Sequence, residues 1–178
     1  DAEIRLFDRL FSAEFPGKAH EDKPGVERPF LLDLNPTSLE VATLLFVVAA
    51  ALKSAQLPFH GWLTQVMEAP TPVSALLHAG IVNLGGFLMI RLAPLLLRSD
   101  VAATSLVALG TVTAVVASLV VSTRVSIKVA LAWSTIAQMG LMLLECGLGA
   151  FGLALFHLVA HSLYKAHAFL SAGSVVDV

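Results

Sequence analysis

Charge is scarce in this 178-residue chain: Asp, Glu, Lys and Arg together make up 13% of it, against about 25% in an ordinary soluble domain. That shortage excludes a conventional water-soluble globule. The net charge is −2, and no basic cluster offers an electrostatic footprint for nucleic acid. Cys146 is the single cysteine, which excludes a disulfide framework and a cysteine-based metal motif. No segment has the pattern of a signal peptide. A nucleophile–base pair, a phosphate-cradling glycine loop and a dinucleotide fingerprint are all missing, so an enzyme site in the ordinary sense has no support and no cofactor is expected.

What the chain has instead is apolar length. It is 57% hydrophobic, with a mean hydropathy of +0.83. The few charges are unevenly placed: residues 1–37 hold eight of the thirteen acids and five of the eleven bases. With Pro16-Gly17, Pro24-Gly25 and Pro29, that stretch reads as a polar extramembrane connection. Residues 38–178 read as a transmembrane domain. The chain opens on Asp1 and stops at Val178 just after an apolar helix, and is expected to be part of a longer membrane protein. The expected architecture is all-α, a polytopic bundle of about five spanning helices, each near the roughly 20 residues that cross a bilayer.

The first span starts near Ser38 and runs to about Met67. Pro58 lies inside it, removes a backbone donor and clashes with the carbonyl of Ser54, so the helix is expected to break around Gln56-Leu57. Breaks at membrane depth persist only where protein or a wet cavity satisfies the freed groups. The second span runs from Pro72 to about Leu97, with Thr71 as its expected cap. The third, Val101 to Val121, carries only Ser and Thr as polar residues. The fourth runs from about Val125 to Cys146, and the fifth from Ala150 to Gly173.

Titratable residues inside these spans are the candidate functional groups, because ionisable side chains at bilayer depth cost on the order of 3 kcal/mol each and mark ion or proton routes. His157, His161 and Lys165 are four residues apart, so they form one stripe on a helix face. His167 lies off that stripe, about 200° from Lys165. Lys53 sits one turn before the proline break, near mid-membrane. His78 lies about six residues into its helix, where it could pass a proton or simply bond a neighbouring helix. Lys128 is near a helix end, where snorkelling competes with a relay role, and Glu145 is similarly terminal and reads as interfacial. A zinc site on His157 and His161 would need further ligands, and Lys165 on the same face would repel a cation; no metal is expected.

Three blocks carry a family resemblance: KSAQLPFHGWLTQVMEAPTPVSALLHAGIVNLGGFLMIR from Lys53 to Arg91, SIKVALAWSTIAQMG from Ser126 to Gly140, and FHLVAHSLYKAHAFLSAGS from Phe156 to Ser174. They resemble the proton-translocating antiporter-like membrane subunits of respiratory complex I and of multi-subunit Na⁺/H⁺ antiporters. Phe59-His60-Gly61-Trp62-Leu63, Met67-Glu68-Ala69 and Ala79-Gly80-Ile81-Val82-Asn83 are similar to the DabB-type membrane subunits of a two-subunit inorganic-carbon system. The resemblance implies a half-channel bundle around a broken helix. Lys53 matches the family's central lysine, His78 its neighbouring relay position and Lys128 the lysine of the next block. His157, His161 and Lys165 match its paired histidines and lysine. The family also uses a glutamate on an earlier helix and a lysine or acid on a later broken one, both outside these residues.

The function so implied is proton or cation flow energising bicarbonate or CO₂ uptake in a bacterial inner membrane. The partner would be a DabA-type zinc-containing subunit that carries the chemistry on CO₂. The alternatives are a proton-pumping subunit of complex I or of an Mrp-type Na⁺/H⁺ antiporter, with their own partner subunits, and a passive membrane anchor for a partner. No nucleic acid is expected.

Overall fold

The computed structural model describes residues 36–66 and 69–174. The polar stretch 1–35 lies outside them, as do Met67, Glu68 and residues 175–178. Every regular element among the described residues is helical. In chain order they are α1 (Pro36–Lys53), α2 (Gly61–Gln65), α3 (Thr71–Ala79), a 3₁₀ turn (Ile81–Asn83), α4 (Leu84–Arg91), α5 (Ala93–Leu96), α6 (Asp100–Val121), α7 (Ile127–Gly147) and α8 (Phe151–Ser174).

Among the described residues, four stretches are long and apolar enough to cross a membrane: Pro36–Lys53, Thr71–Arg91, Asp100–Val121 and Ile127–Gly147. The fifth expected span, α8, has 24 residues and so the required length. Its histidines and Lys165 leave it less apolar, and it covers that polar face against α7 and α3 rather than facing lipid with it.

The first helix does break at the proline, but earlier than expected. α1 ends at Lys53, three residues before Gln56. Ala55 takes a left-handed φ of 51° and the Leu57–Pro58 peptide is cis. The freed backbone groups find protein partners, as a membrane interior demands. The Ser54 hydroxyl donates to the Ala50 carbonyl at 2.7 Å, the Gln56 amide donates to the Ser54 carbonyl at 3.1 Å, and the Leu57 N–H donates to Thr113 Oγ1 at 3.3 Å. Downstream, Trp62 Nε1 donates to the Leu52 carbonyl at 3.3 Å.

The second span is not one helix. Thr71 and Pro72 are its first two helical residues, with Pro70 at the cap position, one residue earlier than the sequence suggested. The helix is interrupted at Gly80, where the Asn83 amide turns back to donate to the Ala79 carbonyl at 2.8 Å. It stops again at Leu92 because Pro94, near the start of α5, cannot donate to a preceding turn.

α6 and α7 pack backbone against backbone. A Cβ added to Gly110 would stand 2.6 Å from the Gly140 carbonyl oxygen, and one added to Gly140 would stand 2.7 Å from the Ala114 nitrogen. Small residues permit this approach, and close contact supplies dispersion where lipid removes any hydrophobic drive between helices. Leu106 on α6 and Ile136, Met139, Met142 and Leu143 on α7 are buried in the hydrophobic core.

Candidate functional site

The α7–α8 interface is a polar seam. Ser134, Gln138 and Glu145 recur on α7 at intervals of four and seven, so all three lie on one face. α8 runs antiparallel and brings Lys165, His161 and His157 past them in that order. Lys165 is 1% exposed. Its ammonium donates to the Leu131 carbonyl at 3.2 Å and to Ser134 Oγ. At the other end, His157 Nδ1 meets both oxygens of Glu145, at 2.9 and 3.1 Å, and His157 Nε2 meets Gln138 Oε1 at 2.8 Å.

Between these ends sits His161, 4% exposed. Its ring centroid is 6.3 Å from that of His157, a gap that one water can bridge. Neither of its ring nitrogens has a hydrogen-bond partner among the described residues. Buried imidazole nitrogens rarely stay unpaired, because each unmade bond costs about 1–3 kcal/mol; the pattern suits a hydrated gap.

α3 adds His78 from the side. It is fully buried, its ring stacks on Phe169 of α8 at 4.4 Å between centroids, and its nitrogens are likewise unpaired within the described residues. Phe169 follows Lys165 by one turn of α8, which sets His78 beside the Lys165 end of the seam. Asn83, just below, donates to Ser162 Oγ at 2.8 Å and so ties the interrupted second span to α8.

Four of the six relay candidates therefore converge: His78, His157, His161 and Lys165. Two stand apart. Lys53 is exposed at the end of α1, and no hydrogen bond or ion pair joins it to His78 among the described residues. Lys128 is half-buried on the first turn of α7. His167 is exposed, off the stripe.

Sequence reading left Glu145 as an interfacial residue and passed over Ser134 and Gln138. Their one-face spacing on α7 was the signal available.

A family model described as NADH:quinone oxidoreductase/Mrp antiporter, TM, matches residues 30–177. The chain belongs to this antiporter-like membrane family. A relative from Hydrogenovibrio crunogenus, described as a probable inorganic carbon transporter subunit DabB, is 64% identical over 147 residues, covering 82% of this chain and 28% of that protein. NADH-ubiquinone oxidoreductase chain 5 of Aspergillus niger is 42% identical over 143 residues, covering 80% and 22%. Among solved structures, the Mrp complex from a Dietzia species aligns with a TM-score of 0.78 at 32% identity, covering 97% of this chain and 19% of that one. The chain thus spans about a quarter of the length of the curated family members it matches. Its apolar helices and its family make it part of a multi-pass membrane protein of the antiporter-like family.

Proposed function

We propose that this chain forms part of a proton- or cation-conducting path whose flow energises inorganic-carbon uptake by a DabA-type zinc-containing partner in a bacterial inner membrane. The observation that carries the conducting role is the α7–α8 seam. A membrane protein that only anchors a partner gains nothing from a buried lysine, two buried or half-buried histidines and a carboxylate on one interface with a third buried histidine beside it, each of which is costly at that depth. The groups stand at spacings that waters can link, and two of the histidines have nitrogens free to exchange protons with such waters. The inorganic-carbon reading is supported by the 64% identity to a DabB-named protein against 42% to the complex I chain.

In this reading protons move along Lys165, His161 and His157, with His78 feeding the Lys165 end. Lys53, beside the helix break, and Lys128, at the first turn of α7, would connect the seam to the neighbouring helices of the whole subunit. The test is growth at ambient CO₂ of a strain dependent on the transporter. Lys53→Ala is expected to abolish growth while membrane protein level stays normal, since removing a charge eases insertion. Normal growth at a normal level would overturn the reading.

A further inference from the structure

Resting on that conducting role, we infer that Glu145 is the residue through which the His157 end of the seam exchanges protons with the membrane face at the α7–α8 turn, and that Gln138 is the swivel that lets His157 change charge there.

The argument begins with position. Glu145 is two residues from the end of α7, and the turn that follows, at 148–150, carries the chain into α8. The other residues of the seam lie progressively deeper, with Lys165 at the far end. Glu145 and His157 keep side-chain exposures of 18% and 15%, whereas His161 and Lys165 have 4% and 1%. The α8 side of the seam is therefore buried at His161 and Lys165 and more exposed at its other end, where a carboxylate meets an imidazole.

The hydrogen bonds then give a mechanism. As placed, His157 offers one nitrogen to a carboxylate and the other to the oxygen of an amide. That placement suits a ring that donates from both nitrogens, the imidazolium form. Half a turn of the Gln138 amide puts its NH₂ at Nε2 and suits a neutral ring that accepts there and donates from Nδ1. Both charge states of His157 are thus fully hydrogen-bonded without moving the helices, and only a terminal amide rotates. From the neutral ring protonated at Nε2, a proton taken up by the Glu145 carboxylate passes to Nδ1 and gives the imidazolium, restoring the carboxylate; the Nε2 proton then leaves through water to a His161 nitrogen, Gln138 turns, and the ring ends neutral and protonated at Nδ1. One proton enters and one leaves, and the ring returns to its starting tautomer before the next proton. No covalent bond other than N–H and O–H changes.

A plain ion pair that holds the α7–α8 turn would use the same contacts, and the experiment separates the two. Glu145→Gln keeps the size and the acceptor oxygen for His157 but cannot ionise. In the intact complex reconstituted into vesicles, with an imposed pH gradient and a trapped pH dye, Glu145→Gln is expected to slow proton uptake at least about tenfold. Glu145→Asp, which can ionise, is expected to retain most of it, and thermal unfolding should match wild type in both. Full activity of Glu145→Gln overturns the inference, and so does an Asp variant as slow as the Gln one. His161→Gln is measured in parallel: if it is slow while Glu145→Gln is normal, the Glu145 role fails and the conducting seam stands; if it too is normal, the seam itself is not the path.

Discussion

Replacing Lys165 by methionine separates what this side chain does for transport from what it does for folding. Its ammonium makes two hydrogen bonds, to the Leu131 carbonyl and to Ser134 Oγ, and bonds to a charged donor contribute about 1.5–3 kcal/mol each. Against that stands the cost of placing an ammonium at membrane depth, about 3 kcal/mol on insertion scales and more on others. The two nearly cancel, and methionine fills similar space with flexible apolar atoms. Nothing is orphaned by the change, because the Ser134 hydroxyl already donates to the Leu131 carbonyl at 2.9 Å. Lys165→Met is therefore expected to shift stability by no more than about 2 kcal/mol in either direction. Proton uptake, in contrast, should fall by at least about a hundredfold, since the titratable group between His78 and His161 on the proposed path is gone. Thermal unfolding in detergent and dye-reported uptake in vesicles, on the same preparation, read the two quantities. Uptake above half of wild type would refute the argument, and so would a protein that fails to accumulate.

His161→Gln is expected to impair uptake more than His167→Gln, because His161 is buried on the seam and His167 is exposed off it; equal effects would break the helical-face argument. Gly140→Val should destabilise the bundle by about 1–3 kcal/mol, because its side chain has only the backbone of Ala114 and Gly110 to move into; an unchanged unfolding temperature would contradict the packing described. Elemental analysis of the purified subunit without its partner should find no stoichiometric zinc, since both nitrogens of His157 are engaged by Glu145 and Gln138. About one zinc per chain, lost in His161→Ala, would reverse that.

Most of the fold could be read from apolar run lengths. The spans at Asp100–Val121 and Ile127–Gly147 fall within two residues of their expected starts, because nothing inside them opposes a helix. The departures have local causes that composition does not express. α1 stops at Lys53 because Ser54 and Ala55 already leave helical geometry to accommodate Pro58. The second span is cut at Gly80 because the Asn83 side chain satisfies the turn. For the site, the i, i+4, i+8 stripe on α8 was legible because helical periodicity is a property of one segment. Its partners were not: Glu145 looked terminal and Gln138 ordinary, since pairing across antiparallel helices depends on a register that a single sequence does not state. Lys53 and His78, which the resemblance makes neighbouring positions, share no hydrogen bond or ion pair among the described residues, and His78 stacks instead on Phe169 beside the seam.

The order of helices along the chain bears on how such a segment enters a membrane at all. α8 emerges from synthesis last among the described helices, and its titratable face would be the costliest surface to leave against lipid. Each side chain that covers that face precedes it: Ser134 by 31 residues, Gln138 by 19 and Glu145 by 12, with His78 earlier still. α6 and α7 are joined by a short turn and held by their glycine contact, so they can dock as a hairpin before α8 arrives. The nascent stripe then meets a ready-made polar wall instead of hydrocarbon, and the last helix inserts by pairing rather than by apolarity alone.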